Sequence, residues 1–341
     1  MLKKKSSFVM AILGATGAVG KETLEILDER KFPIAGLRLF ASKRSAGEVL
    51  TCQEKEWTVE ELTPESSFAG IDIALISATD AISREYGERL GKTGVVVIDD
   101  SGVFRMDANV PLVVPEVNAH ALGHMPRGIV SIPNCTTTPL VMALKPLQDT
   151  VGVKRVVVTT FQSVSGTGAA AMDELVTQTR DLMAFRDVTT SVYPYQIAFN
   201  LLPHIGSFNE EGDCSEEVKI ANETRKILGS PALRVTATTV RVPVLRCHSE
   251  AINVELNAPL KPNEARAALA AMPGVIVYDD PHRTLYPMPL DATGKDEVYI
   301  GRIREDLSVT NGLNLWVVSD NLRKGAALNA VQIAECLVKG S

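Results

Sequence analysis

The run Phe8 to Leu13 is apolar throughout, as in a strand buried on both faces, and a glycine-rich turn leads from it into an amphipathic stretch over 19–27. This order predicts strand, turn, helix. Further apolar strands are expected at 37–41, 71–77 and 95–98, with a helix over 83–90 between the last two. Alternation of this kind predicts a parallel sheet with helices on its faces. Beyond Pro133 the texture changes. A strand over 156–162 is rich in β-branched residues, and further strands at 233–242, 251–256, 298–303 and 313–318 predict an antiparallel or mixed sheet. Helices are expected over 139–147, 169–182, 216–228 and 263–271, with a last amphipathic helix over 322–337. No internal repeat is visible, which disfavours a repeat scaffold.

The chain has 341 residues, more than one ordinary core accommodates, so two domains are expected. With 45% hydrophobic and 22% charged residues the composition is that of a folded globular enzyme. A formal net charge of −6 opposes a nucleic-acid-binding surface, because such surfaces draw their affinity from clustered Lys and Arg. The basic run Lys3, Lys4, Lys5 ahead of apolar residues imitates the start of a secretory signal, but Gly14, Gly17 and Gly20 soon break the apolar stretch and belong to a coherent motif. Cysteines stand at 52, 135, 214, 247 and 336, an odd number without CxxC or metal-ligand spacing. That pattern suits a reducing compartment and no metal, so the cytoplasm is expected. No stretch approaches the roughly 18 apolar residues of a membrane-spanning helix, and membrane insertion is not expected.

Gly14, Ala15, Thr16, Gly17, Ala18, Val19 and Gly20 place three glycines at intervals of three between strand and helix. Glycine permits the tight turn and lets backbone N–H groups approach a pyrophosphate, which the positive end of the helix dipole then stabilises. At the first strand-to-helix junction of a βαβ pattern this favours a dinucleotide over a purely structural turn. The end of the second strand reads Phe40, Ala41, Ser42, Lys43, Arg44, Ser45, with no acid to meet the ribose hydroxyls and two cations suited to a 2′-phosphate. NADP(H) is therefore favoured over NAD, against solvated surface charge as the plainer reading of Lys43 and Arg44.

The segment over 131–139, SIPNCTTTP, follows a short strand and leads into a helix whose first turn tolerates Pro139. A thiol at such a helix N-terminus has its pKa lowered, although most cysteines are simply small buried hydrophobes. Asn134-Cys135 followed by three threonines and Pro139 resembles the active-site segment of the aspartate-semialdehyde dehydrogenase family. The resemblance extends over nearly the whole chain. It includes the GATGAVG turn, Arg44-Ser45 with Ala46-Gly47, Phe104-Arg105-Met106, Pro115-Glu116-Val117-Asn118, Gln162 with Ser165-Gly166, and the stretches 195–203, 241–248 and 319–332. A looser overlap reaches glyceraldehyde-3-phosphate and N-acetylglutamyl-phosphate dehydrogenases.

The resemblance implies an α/β protein. Its NADP-binding Rossmann domain would cover 1–132, an α+β catalytic and dimerisation domain of the glyceraldehyde-3-phosphate dehydrogenase type 133–318, and a helix over 319–341 returning to the first domain. It makes Cys135 the nucleophile beside Asn134, His248 the acid/base and Gln162 the residue that orients substrate. Arg241 would hold the substrate carboxylate, Arg105 and Lys219 the phosphate, and Glu216 the substrate amino group, with Glu217 adjacent in register. Gly14, Thr16, Gly17, Ala18, Val19, Arg44, Ser45, Ser165, Gly166 and Asn321 would contact NADP. The implied reaction is NADPH-dependent reductive dephosphorylation of L-aspartyl 4-phosphate to the 4-semialdehyde through a Cys135 thioester. It belongs to lysine, threonine, methionine and isoleucine biosynthesis, in a homodimer or a pair of dimers without nucleic-acid or membrane partners.

Three alternatives stay open on the sequence. An N-acetyl-γ-glutamyl-phosphate reductase shares the chemistry, but its acylated amine would leave Glu216 without a cation to meet. A catalytically silent relative is opposed by the joint presence of Cys135, Gln162 and His248, and a nucleotide sensor would not need the thiol. Two departures from the family pattern stand out: Ala78-Thr79-Asp80, where many relatives carry a glycine pair, and Cys247, where glycine commonly precedes the histidine.

Overall fold

The computed structural model describes residue 2 and residues 5–339, so Lys3 and Lys4 of the basic run and the last two residues of the C-terminal segment lie outside the described residues. The chain divides into a first unit, residues 1–134 with 326–341, and a second unit, residues 135–325. Both boundaries fall slightly further along the chain than those expected from the sequence.

In chain order the first unit contains β1 (Phe8–Leu13), α1 (Ala18–Glu29), β2 (Ile34–Ala41), β3 (Val49–Cys52), β4 (Lys55–Glu61), β5 (Ile73–Ile76), α2 (Asp80–Gly91), β6 (Val96–Asp99), α3 (Pro115–Asn118) and β7 (Ile129–Ser131). The seven strands form one sheet in the order β3-β4-β2-β1-β5-β6-β7, parallel except for the β3–β4 hairpin. The unbroken apolar character of β1 follows from its central place. Met10 and Ile12 enter one core with Leu24 and Leu27 of α1, while Ala11 and Leu13 enter another with Tyr86 and Leu90 of α2.

The edge hairpin has no counterpart among the elements expected from the sequence. Its turn is made by Gln53 and Glu54, with φ of 51° and 61°, and so lacks the Asn-Gly or Asp-Gly signal that normally marks two consecutive left-handed residues.

The second unit contains α4 (Thr137–Thr150), β8 (Val153–Gln162), α5 (Ala169–Met183), α6 (Ser215–Ile227), β9 (Arg234–Arg241), β10 (His248–Leu256), α7 (Pro262–Ala270), β11 (Val275–Val277), α8 (Pro289–Ala292), β12 (Val298–Asp306) and β13 (Gly312–Ser319). Its strands form a mixed sheet in the order β11-β12-β13-β10-β8-β9. Register places Val156, Val158, Thr160 and Gln162 of β8 on one face with Arg241 of β9, with Glu250, Ile252 and Val254 of β10, and with Leu313, Leu315 and Val317 of β13. All of these side chains are buried, and helix α4 packs on β8, β12 and β13. The face is aliphatic along most of its length and turns polar at the end carrying Thr160, Gln162, Arg241, His248 and Glu250. A sheet face that changes from Val and Ile to hydrogen-bonding residues at one end places its chemistry there, on rigid backbone.

After β13 the chain does not continue into one long α-helix, as the pattern over 322–337 suggested. Residues Arg323–Ala327 form a π-helical turn, and the regular helix α9 runs over Leu328–Lys339 as part of the first unit. The amphipathic pattern survives because one inserted residue only rotates it; the widened turn appears in the hydrogen bond from Gly325 N–H to the carbonyl of Asp320, five residues back, at 3.1 Å. Among the described residues no helix is long and apolar enough to cross a membrane.

Candidate active site

The glycine turn of the first unit shows why each glycine is there. Gly14 has φ +93°, and a Cβ on it would lie 2.0 Å from the carbonyl oxygen of Ser77; a Cβ on Gly20 would lie 2.3 Å from the carbonyl oxygen of Gly14. Gly17 is the N-cap of α1 and offers no side chain to the N–H groups of the first helical turn, which leaves them for an anionic ligand. This cradle fits a pyrophosphate. Thr16 is half-buried, with Ala18 and Val19 opening the helix, and Arg44 is exposed in a short 3-10 turn directly after β2, beside buried Ser45. The unusual Ala78-Thr79-Asp80 has a local explanation: the Thr79 hydroxyl caps α2 by accepting from Ile82 N–H at 3.4 Å, and Asp80 supplies the first-turn acid.

Arg105, also in the first unit, is buried and donates from Nη2 to the Asp100 carbonyl at 2.8 Å, with a carboxylate oxygen of Asp100 at 3.9 Å. Asn134 is buried at the end of this unit, and its covalent neighbour Cys135 opens the second.

In the second unit half-buried Cys135 precedes Thr136, the N-cap of α4. The helix begins at Thr137, two residues before the expected start, so Pro139 occupies its first turn, where its missing N–H removes no helical hydrogen bond. Thr136, Thr137 and Thr138 are wholly buried.

Gln162, at the end of β8, is held from both sides. Its Oε1 accepts from the Thr160 hydroxyl at 2.9 Å, and its Nε2 donates to Glu216 Oε1 at 3.1 Å. The other oxygen of Glu216 faces Lys219 Nζ at 3.5 Å, one helical turn on. The adjacent Glu217 does something else. Its carboxylate accepts from the backbone N–H of Cys214 at 2.8 Å and of Thr239 at 2.9 Å, tying α6 to β9. The structure therefore brings Glu216, not Glu217, to Gln162.

Arg241 pairs with Gln162 in the parallel register and donates from Nη1 to the carbonyl of Ser163 at 2.7 Å. The backbone N–H of Ser163 in turn donates to Nδ1 of His248 at 3.0 Å. A fixed N–H aimed at Nδ1 requires a lone pair there, so the network assigns the neutral ring proton to Nε2. His248 is 1% exposed, and burial together with the Arg241 charge pushes its imidazole down to about 3. Nothing among the described residues hydrogen-bonds His248 Nε2. A Cβ on Gly166 would lie 3.1 Å from Arg241 Nη1 and 3.2 Å from His248 Nε2, so glycine at this position leaves room against both groups.

Asn321 closes the cluster. Its Oδ1 accepts from Ser163 Oγ at 3.2 Å, Ser165 Oγ at 3.0 Å and the backbone N–H of Cys247 at 3.0 Å. Of the residues singled out in the sequence, Gln162, Ser165, Gly166, Glu216, Lys219, Arg241, His248 and Asn321 are thus joined by contacts inside one unit. Ser163 and Thr160 were missed, since nothing in their identity distinguishes them from other hydroxyl residues; the register beside Gln162 is what gives them a role. Cys247 adopts φ +74°, which explains why glycine suits this position, and burial pushes its thiol up to about 12. Among the described residues no group of three or more His, Cys, Asp or Glu side chains is placed to hold a metal ion.

A parallel-sheet unit with a pyrophosphate cradle and a mixed-sheet unit with a buried Gln-Arg-His cluster define a dinucleotide-dependent dehydrogenase. Comparison with known proteins narrows this. The model of the semialdehyde dehydrogenase NAD binding domain matches residues 9–125, and that of the semialdehyde dehydrogenase dimerisation domain matches residues 144–324. Aspartate-semialdehyde dehydrogenase of Aquifex aeolicus is 52% identical over 97% of this chain and 98% of its own, and that of Bacillus subtilis 46% identical over 97% of each. The crystal structure of aspartate semialdehyde dehydrogenase II of Vibrio cholerae complexed with ASA is 44% identical, covers 98% of this chain and 99% of its own, and superposes with a TM-score of 0.96. A Candida albicans aspartate semialdehyde dehydrogenase with NADP is 27% identical with a TM-score of 0.76, covering 97% and 98%. The chain belongs to the aspartate-semialdehyde dehydrogenase family, oxidoreductases that act on an aldehyde group with a nicotinamide dinucleotide.

Proposed function

We propose that the protein performs the reductive dephosphorylation of L-aspartyl 4-phosphate to L-aspartate 4-semialdehyde, with Cys135 as nucleophile. The observation that carries the reading is the arrangement around Gly166, where Arg241 Nη1 and His248 Nε2 stand against the same small opening. The Arg241 guanidinium fork pairs with the substrate carboxylate and fixes the far end of the molecule. Glu216 offers a carboxylate to the substrate ammonium, which favours a free amine over an acylated one. Gln162, held by Thr160 and Glu216, orients the acyl group, and Asn134 supports the thiol from the preceding residue.

The Cys135 thiolate attacks the acyl carbon; the C–S bond forms, the C–O bond to phosphate breaks, and phosphate leaves. Arg105 and Lys219 are the cations that the family resemblance assigns to the phosphate. NADPH supplies the hydride that reduces the thioester carbon. His248 serves from its acid side in both stages: its Nε2–H donates to the carbonyl oxygen as that atom gains negative charge, and the thiolate departs as the aldehyde carbonyl re-forms. The preference for NADPH rests on Arg44, exposed after β2 in the stretch 40–45, which contains no acid, together with Ser45; Ser165, Gly166 and Asn321 complete the proposed cofactor contacts. An Arg44→Glu variant with unchanged NADP affinity would remove that support.

The mixed sheet of the second unit also supports a homodimer or a pair of dimers. Its face opposite α4 carries the half-exposed Phe161 and Trp316, with ring centroids 5.6 Å apart, suited to burial against a second copy. Gel filtration with light scattering distinguishes dimer from tetramer. The reaction is one of the cytoplasm, in the biosynthesis of lysine, threonine, methionine and isoleucine.

The decisive assay is phosphate-dependent NADP reduction with L-aspartate semialdehyde. Turnover is expected to vanish in Cys135→Ala while NADP still binds. Full turnover by that variant would refute the covalent mechanism, and a preference for N-acetylglutamate semialdehyde would refute the substrate.

A further inference from the structure

Gly325 is buried in the π-helical turn Arg323–Ala327, ahead of Ala326 and Ala327. Its φ lies outside the left-handed range, so backbone conformation gives no reason for glycine here. Helical context argues the other way, since alanine stabilises a helix relative to glycine and the next two positions are alanine. The reason lies across the turn. A Cβ on Gly325 would stand 3.0 Å from Cys135 Cβ, 3.2 Å from the Cys135 carbonyl oxygen and 3.3 Å from Cys135 Cα. Each of these contacts is tighter than side chains ordinarily tolerate, and all three are with one residue.

The π turn sets this approach. Gly325 N–H reaches back five residues to the Asp320 carbonyl at 3.1 Å, widening the turn by one residue. Asp320 is wholly buried and firmly tied: its carboxylate accepts from Arg246 Nε at 2.7 Å, Gly294 N–H at 2.7 Å and Leu322 N–H at 3.0 Å. Arg323, the first residue of the turn, is fixed to Asp296 at 2.7 Å. Single π turns inside helices recur at functional sites, where they carry a residue out of helical register to meet a need elsewhere.

We propose that Gly325 is a positioning residue for Cys135: the anchored π turn forms a wall behind the thiol, and its missing side chain fixes where the sulfur stands. The inference rests on Cys135 as nucleophile. A methyl group at 325 pushes Cys135 by a few tenths of an ångström, enough to misalign attack on the acyl carbon without touching substrate or cofactor contacts.

The test compares wild type, Gly325→Ala, Cys135→Ala, Cys135→Gly and the Gly325→Ala/Cys135→Gly double variant. Gly325→Ala is expected to lower kcat about tenfold with KM and NADP dissociation constant within about twofold, and to change the rate of Cys135 alkylation by iodoacetamide, followed by mass spectrometry, at least about threefold. Unchanged kcat and alkylation overturn the proposal. If Gly325→Ala melts too low to assay, thermal unfolding decides: its loss of stability should shrink when Cys135 is glycine, whereas additive effects of the two substitutions overturn it. Turnover by Cys135→Ala would instead remove the nucleophile on which the proposal stands. Loss of turnover there with normal Gly325→Ala removes this inference alone.

Discussion

The backbone N–H of Ser163 donates to Nδ1 of His248 at 3.0 Å and so holds the imidazole neutral with its proton on Nε2. Ser163 follows Gln162 directly, so the strand end that holds the Gln162 amide between Thr160 and Glu216 also fixes the tautomer of the histidine.

This bond makes a prediction about pH. The unfolded chain takes up a proton at His248 near 6.5, whereas the native ring resists it down to about 3 because it is buried and faces Arg241. The folded pKa is lowered, so the stability contributed by neutral His248 is present above pH 6.5 and is lost as pH falls from 6.5 toward 3. In long-range proton–nitrogen NMR spectra His248 should keep an unprotonated Nδ1 from about pH 5 to about pH 9. A titration near 6.5 would contradict the lowered pKa, and a neutral ring protonated on Nδ1 would contradict the tautomer.

Glu250 predicts the opposite slope. It lies on the same buried face as Gln162, 1% exposed, and nothing among the described residues hydrogen-bonds either carboxylate oxygen. Burial holds its pKa well above the ordinary 4.5, so the native carboxyl stays protonated while the unfolded one ionises. Stability is then lost as pH rises above 4.5, with a limiting slope of about 1.4 kcal/mol per pH unit for one proton. Urea melts should show Glu250→Gln gaining on wild type as pH rises above 4.5; parallel curves would mean that Glu250 is already ionised.

Arg241→Lys separates shape from charge. Lysine keeps a cation but loses the fork that donates to the Ser163 carbonyl and that, in the proposed reaction, pairs with the substrate carboxylate. Steady-state kinetics should show KM for the semialdehyde rising about tenfold or more, in line with the loss of one charge-assisted hydrogen bond. An unaltered KM would place the substrate carboxylate elsewhere.

Cys247 predicts tolerance to glycine and intolerance to branching. At φ +74° a side chain adds roughly 1–2 kcal/mol of strain, which Cys247→Gly relieves while losing a buried sulfur 3.4 Å from the Thr293 hydroxyl. The net change in unfolding free energy should stay within about 1 kcal/mol, whereas Cys247→Val should cost more than about 2 kcal/mol. With its thiol pushed up to about 12 by burial, Cys247 should remain unalkylated at about pH 8 while Cys135 reacts. Rapid labelling of Cys247 would show that it shares in the chemistry.

Features that depend on local periodicity or on one residue's special chemistry were legible from the chain alone. The apolar run of β1 revealed a central parallel strand, since it must be covered on both faces. Gly14, Gly17 and Gly20 revealed a tight turn between a strand and a helix, where a Cβ on Gly14 or Gly20 would strike backbone. The helix start just after Cys135 was legible through Pro139, although it falls two residues earlier than expected. What escaped was whatever depends on partners distant in sequence. The β3–β4 hairpin turns on Gln53 and Glu54, whose left-handed conformation is imposed by the pairing of the strands on either side and is not signalled by either residue. Glu216 and Glu217 are identical side chains one position apart. Only the rotation of α6 against β8 and β9 sends one to Gln162 and the other to the backbone of Cys214 and Thr239. Likewise the π turn left the amphipathic pattern of the last helix intact, so no periodicity marked it, and glycine at 325 acquires its meaning from Cys135, far away along the chain. Which chemistry this protein carries is written in its residues one by one, because functional groups are properties of single side chains. Their protonation, orientation and spacing belong to the folded molecule, because these are set by the neighbours that packing brings together.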